Sequence, residues 1–307
     1  MGPENEISVV NNQEHYCKYK MVKNKKILIL GSAGQLGKEF VKVLAEQDYE
    51  YIAPSEDESS ITNFEQINTL IDETEPDIVI NCAAYNAVDQ AEIDPDLAYL
   101  VNGEAVENLA IHCKDRNILL VHFGSDYIFD GKKQNLYTEQ DATCPLNVYG
   151  KSKLAGEQAV IKHMKDYLVF RLSWVFGDGV QNFLHKLAGW VDKNPVLKIS
   201  ADEVSVPTYT RDVVNLTLLA LEKQLRGLFH MTNSGYASRY ELARYYVQQK
   251  KLSNILIPVS LSTFESKAER PFFTAMSNSK LAKDLGVEIP SWMSAVERFL
   301  KDRQKAG

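Results

Sequence analysis

The chain has 307 residues, 45% of them apolar and 24% charged, with a formal net charge of −7. A length of this order suggests about two lobes. The composition excludes general disorder, and the negative charge argues against a protein held to nucleic acid or an anionic membrane by bulk electrostatics.

Residues 1–24 are polar and carry neither a secretory signal nor sustained periodicity, so a flexible tail is expected there. Strands and helices then alternate. Strands are predicted at 26–30, 49–53, 77–84, 118–125 and 167–177, and helices at 40–47, 64–73, 97–114 and 148–164. Strands that are apolar throughout, separated by helices, indicate a parallel sheet covered on both faces. The expected fold is therefore α/β, a doubly wound Rossmann-type sheet over residues 25–180, joined by part of 205–225. Beyond 180, short strands such as LKIS and GLFHM mix with helices at 211–225, 238–251, 278–285 and 292–304. Residues 181–307 are expected to form mainly a smaller α/β lobe for substrate.

The four cysteines, Cys17, Cys82, Cys113 and Cys144, contain no CxxC pair, so free thiols in a reducing cytoplasm are expected. No run reaches the roughly 18 apolar residues of a membrane-spanning helix. No ligand spacing compels a metal.

The first strand runs into Gly31-Ser-Ala-Gly34-Gln-Leu-Gly37 and then a helix. A glycine turn at a helix N-terminus offers backbone N–H groups and the positive end of the dipole to an anion. Following a first βαβ strand, it reads as a dinucleotide site. Tyr149 and Lys153 are an i, i+4 pair at the start of a helix, so phenol and ammonium can share a face. A nearby cation favours phenolate, which would bring the phenol's proton within useful range. Ser125 closes the fourth strand, and chemistry in open α/β sheets gathers beyond the carboxyl ends of strands. Serine hydroxyl, tyrosine hydroxyl and lysine ammonium can thus converge on one carbonyl oxygen. Asn102, on the helix before that strand, is expected to hold a water or kink the helix.

The segments ILILGSAGQLG, PDIVINCAAYNAVDQAE, VHFGSDYIFDG, PLNVYGKSKLAGE, FRLSWVFG, PTYTRDVV and RPFFTAMSNSKL resemble the extended short-chain dehydrogenase/reductases over about residues 25–305. The resemblance implies NAD(P)H-dependent reduction of the 4-keto group of a nucleotide-linked 6-deoxy sugar, with dTDP-4-dehydro-β-L-rhamnose as the best single substrate. A UDP-linked substrate, a combined epimerase and reductase, and a nucleotide-binding regulatory subunit stay open, as does a homodimer. By this resemblance Gly31, Gly34, Gln35, Leu36 and Gly37 would meet the cofactor pyrophosphate. Cys82, Ala83, Ala84 and Tyr85 would line the nicotinamide and ribose path, with Asn102 grouped among the cofactor residues. Ser125 and Tyr149 would bind the keto oxygen, with Tyr149 the acid. Lys153 would hold the nicotinamide ribose and lower the tyrosine pKa. Asn86, Val88, Asp126, Tyr127, Phe129 and Trp174 would meet the sugar and its diphosphate, and Arg270 the nucleotide or its phosphates.

Ser55 stands where relatives carry a ribose-binding aspartate, and Lys38 follows the third glycine. Both favour NADP(H); Glu56, Asp57 and Glu58 nearby keep NAD(H) open. Glu203 and Ser205 replace a glutamine and a glycine usual in the substrate lobe.

Overall fold

The computed structural model describes residues 22–306. In its first half β1 (Ile27–Leu30), α1 (Gln35–Glu46), β2 (Tyr51–Ile52), α2 (Phe64–Thr74) and β3 (Ile78–Asn81) lead to α3 (Val88–Ala91), α4 (Pro95–Tyr99) and α5 (Ala105–Asp115). Then come β4 (Leu119–Ser125), α6 (Val148–His163) and β5 (Tyr167–Leu172). The second half holds β6 (Val175–Phe176), α7 (Phe183–Lys193), β7 (Val196–Ser200), β8 (Val204–Ser205), β9 (Thr208–Tyr209), α8 (Thr210–Glu222) and β10 (Gly227–His230). It closes with β11 (Ala237–Ser238), α9 (Arg239–Gln249), β12 (Ile255–Val259), α10 (Ser279–Leu285) and α11 (Trp292–Ala306).

Six strands form one sheet in the order β10-β5-β4-β3-β1-β2, every pair parallel. The strand order reverses between β1 and β3, the switch point at which open α/β sheets hold ligands. Alternation along β1 explains the layers. Ile27 and Ile29 enter one core with Phe40, Val43 and Leu44 of α1, while Leu28 and Leu30 enter the other with Ile67 and Ile71 of α2. A third core joins Leu187 of α7, Leu242 and Tyr246 of α9, and Val296 and Phe299 of α11. It forms the second lobe, where β7 and β12 pair in parallel.

Four expectations change. Val22–Asn24 are a short 3-10 turn whose Val22 is buried in the first core, so the expected tail is too long by those residues; residues 1–21 lie outside the described part. The helix expected at 97–114 is broken by a π-turn at Leu100–Glu104. The strand expected at 167–177 breaks at Trp174, whose φ is +39°. GLFHM, assigned to the second lobe, is β10, the sixth strand of the main sheet, and Leu281, Leu285 and Ile289 pack on that sheet too. Helix α7 was not predicted, although Asn182 caps it by accepting from the His185 N–H at 2.9 Å.

Among the described residues no helix is long and apolar enough to cross a membrane. Cys82, Cys113 and Cys144 are unpaired, and Cys17 is outside the described part.

Candidate active site

The glycine turn shows why it is built of glycine. Gly31 has φ +73°, and a Cβ there would lie 2.5 Å from the Ala83 nitrogen. A Cβ on Gly37 would lie 2.2 Å from the Gly31 carbonyl oxygen. Gly34 is the N-cap of α1 and brings no side-chain bond, which leaves the first N–H groups of the helix to face an anion. Gly31, Gly34, Gln35 and Leu36 line one end of a cleft of about 800 Å³. The same cleft passes Cys82, Ala83, Ala84, Tyr85, Asn86 and Val88, and reaches Ser125, Asp126, Tyr127, Tyr149, Lys153 and Trp174. A bare helix terminus, a turn closed to Cβ atoms and a cleft of this size fit a dinucleotide.

Ser125 ends β4, and its buried hydroxyl accepts from the Tyr127 N–H at 3.2 Å. Tyr149 is the second residue of α6, whose N-cap Asn147 accepts from the Gly150 N–H at 2.8 Å. A Cβ on Gly150 would lie 2.2 Å from the Tyr127 carbonyl oxygen, so glycine lets α6 press against the end of β4 and brings Tyr149 to Ser125. Burial pushes the Tyr149 phenol up to about 12; a hydrogen bond with Ser125 pulls the other way, and the Asp126 charge adds to the rise. The Tyr149 hydroxyl also donates to Asn86 Oδ1 at 3.4 Å. Lys153 is buried and donates to the Phe123 carbonyl at 2.7 Å. Burial lowers its pKa to about 8, with Glu157 opposing. The expected lowering of the tyrosine by this lysine is not what the geometry gives: desolvation of the phenol dominates, and the ammonium is turned to a backbone carbonyl.

Several expected contacts lie elsewhere. Asn102 is buried in the π-turn, with its amide committed: Oδ1 accepts from the Tyr85 N–H at 2.9 Å, and Nδ2 donates to the Tyr85 carbonyl at 3.0 Å and to Ser152 Oγ at 3.0 Å. It positions Tyr85 rather than touching a cofactor. Phe129 is fully buried and stacks on Tyr137 at 4.1 Å, so it is core. Ser55 is exposed and bonds Glu58 through both its N–H and its hydroxyl; Glu56, Ser59, Ser60 and Ile61 line that end of the cleft instead. Arg270 gives both ends of its fork to Asp89, at 3.1 and 2.7 Å, and lines a second cavity. Asp126 lines the cleft, but its Oδ2 accepts from Ser173, Ser205 and Thr274 at 3.2, 2.8 and 2.6 Å, and burial still pushes its carboxyl up. Burial also raises the Cys82 thiol, which keeps it protonated and unreactive.

Sequence reasoning missed two residues. Asn182 donates to Gln35 Oε1 at 2.6 Å, and Gln35 donates to the Val175 carbonyl at 3.3 Å, which ties the phosphate turn to the second lobe. Arg239 lies over the Trp174 ring, 3.5 Å from its centre. Only the cap sequence Ser238-Arg-Tyr-Glu241 marked its helix start; nothing local marked a ligand.

A parallel doubly wound sheet whose glycine turn shares one cleft with a serine, a tyrosine and a lysine defines a dinucleotide-dependent oxidoreductase of the short-chain dehydrogenase/reductase class. Within it, the chain belongs to the RmlD substrate binding domain family, whose sequence profile matches residues 25–305. It is 36% identical over 294 residues to a dTDP-4-dehydrorhamnose reductase of Burkholderia thailandensis, covering 90% of this chain and 98% of that protein. The crystal structure of a dTDP-4-dehydrorhamnose reductase from Clostridium acetobutylicum is similar at a TM-score of 0.88 and 33% identity, covering 91% of this chain and 99% of that one. That of a dTDP-4-dehydrorhamnose reductase from Bacillus anthracis in complex with NADP is similar at a TM-score of 0.87 and 32% identity, covering 91% and 99%.

Proposed function

We propose that this protein reduces the 4-keto group of dTDP-4-dehydro-β-L-rhamnose to give dTDP-β-L-rhamnose, with NADPH as the preferred reductant and NADH as the alternative. The observation that carries the reading is the gathering of Ser125, Tyr149 and Lys153 at the end of the same cleft that begins at Gly31. The similarity to named reductases, one of them in complex with NADP, supports substrate and cofactor.

Gly31, Gly34 and the N-terminus of α1 would hold the pyrophosphate, with Gly37, buried behind the turn and expected at the phosphates, serving its packing instead, and Lys153 would meet the nicotinamide ribose. NADPH, when bound, supplies the hydride to the carbonyl carbon. Tyr149 supplies the proton to the oxygen. With its phenol pushed up to about 12 it stays protonated at neutral pH. It is still a far stronger acid than an alcohol, taking water's value of about 15.7 as the guide, so transfer to the developing alkoxide is downhill. Ser125 directs a hydroxyl at the place where negative charge develops. The free thiols, and the absence of any helix long and apolar enough to span a membrane among the described residues, support a cytoplasmic location.

The test is NADPH oxidation by the purified protein with the dTDP-linked keto sugar and no second protein, with the product followed by NMR. Turnover only with the UDP-linked sugar would replace the nucleotide. Binding without turnover of either sugar would leave a regulatory nucleotide-binding protein.

A further inference from the structure

The second cavity, about 880 Å³, shares Trp174, Val175, Asn182 and Arg239 with the catalytic cleft. A molecule reaching from Tyr149 into this cavity must pass that shared wall. Two guanidinium groups face the cavity, Arg239 and Arg270, and their states differ. Arg270 has its fork closed on Asp89 and a further bond to Ser266. Arg239 has only its Nε near a carboxylate, Glu203, at 3.6 Å; its terminal nitrogens make no hydrogen bond to the described residues.

Arg239 is nevertheless held in place. It is the first residue of α9, which is fixed by a capping box between Ser238 and Glu241, and its N–H donates to the Glu203 carbonyl at 3.3 Å. Its guanidinium carbon lies over the Trp174 ring, 3.5 Å from the ring centre, and over the Phe183 ring, 5.1 Å from its centre. Trp174 holds this pose at φ +39°, a left-handed conformation that is uncommon outside glycine. A planar cation oriented by stacking, with an open fork of donors, is suited to a phosphate.

We propose that Arg239 grips the diphosphate of the nucleotide-linked substrate at the junction of the two cavities, with the nucleoside beyond it in the second cavity. The inference rests on the proposed nucleotide-sugar reductase function. Arg270, fork closed, braces the loop that carries it and leaves the phosphates to Arg239. Phe183, Trp190 and Phe264 offer rings to the base.

The experiment is calorimetric titration of the full-length protein with dTDP, thymidine and NADPH, on wild type, Arg239→Met and Arg239→Lys. Arg239→Met is expected to weaken dTDP about 10- to 100-fold, the worth of a charged bidentate contact, while thymidine and NADPH stay within about twofold. Arg239→Lys, which keeps charge without the fork, is expected to fall between, and it serves as the reading if the methionine variant does not fold. Unchanged dTDP affinity in either variant overturns the proposal. Equal loss of dTDP and thymidine overturns it too, since Arg239 would then be propping Trp174. Loss confined to NADPH moves the residue to the cofactor. A wild type that binds dTDP through Arg239 yet oxidises no NADPH with the keto sugar sinks the reductase reading and keeps this site; turnover with no dTDP loss in the variants does the reverse.

Discussion

At Tyr149 burial and the Asp126 charge both keep the proton on, and only the Ser125 hydrogen bond opposes them. Tyr149→Phe removes the acid and little volume. It should cut kcat by roughly 10²–10⁴-fold with NADPH affinity unchanged, as read by steady-state rates and fluorescence titration. Near-normal kcat would remove Tyr149 from the mechanism. Lys153 carries the opposite kind of shift. Its folded pKa of about 8 lies below the ordinary lysine value of 10.5, so between those limits the unfolded chain binds the extra proton. Stability contributed by this site therefore rises with pH across that window, and the burial cost is felt in full below it. Lys153→Met should be the more stable form near pH 7 by up to about 3 kcal/mol, and its advantage should shrink as pH climbs toward 10. Urea midpoints at both pH values check this; a constant difference contradicts it. Ser125, Tyr149 and Lys153 were legible because strand ends and i, i+4 spacing are local. Phe129 and Arg270 were not. Whether an aromatic beside a loop faces cleft or core, and whether an arginine finds an aspartate 181 residues away, is decided by packing across the chain.

The turn between β1 and α1 separates two jobs of glycine. Gly37 is packing: its missing Cβ leaves room for the Gly31 carbonyl, a backbone atom that cannot give way. Gly37→Ala should cost more than about 2 kcal/mol by overpacking. Gly34 is exposed, with a Cβ contact of 3.3 Å, and Gly34→Ala should cost under about 1 kcal/mol while still weakening NADPH, because the pyrophosphate approaches there. Thermal melts paired with NADPH titrations distinguish the two; equal stability losses would show that the turn adapts as a unit. The π-turn is the second element-scale feature. The widened turn aims Asn102 at the Tyr85 backbone. Asn102→Ala leaves a backbone N–H and C=O unpaired and should cost about 1–3 kcal/mol in chemical unfolding. The sheet strands were readable from apolar runs. The π-turn was not, since its residues keep helical propensity, and β10 was not, since GLFHM looks alike in either lobe until α8 returns it to the edge of the sheet.

Across the whole molecule, the two lobes meet through bonds that start at the phosphate turn. Asn182 accepts from the His185 N–H to cap α7 and donates to Gln35 and to the Gly177 and Gly179 carbonyls, while Gln35 reaches the Val175 carbonyl. Glu39 of α1 pairs at 3.0 Å with Arg211 in the first turn of α8, directly after Tyr209 of the third core, so α1 has a second contact where the chain leaves that core. Gln35 borders the cofactor end of the cleft, whereas Asn182 borders both cavities. A ligand that orders Gln35 therefore orders Asn182 and the wall that the other ligand uses, and by linkage the effect must run equally in both directions. Wild-type protein should bind dTDP about fivefold more tightly with NADPH present, and NADPH more tightly with dTDP present by the same factor, a coupling of about 1 kcal/mol. Asn182→Ala breaks the tie without touching Ser125, Tyr149 or Lys153. It should bring both factors close to one, while each ligand alone loses no more than about threefold. Four titrations on each protein complete the cycle. Coupling that survives in Asn182→Ala would assign the communication to the α1–α8 contact instead, and Arg211→Met would then be the variant that abolishes it.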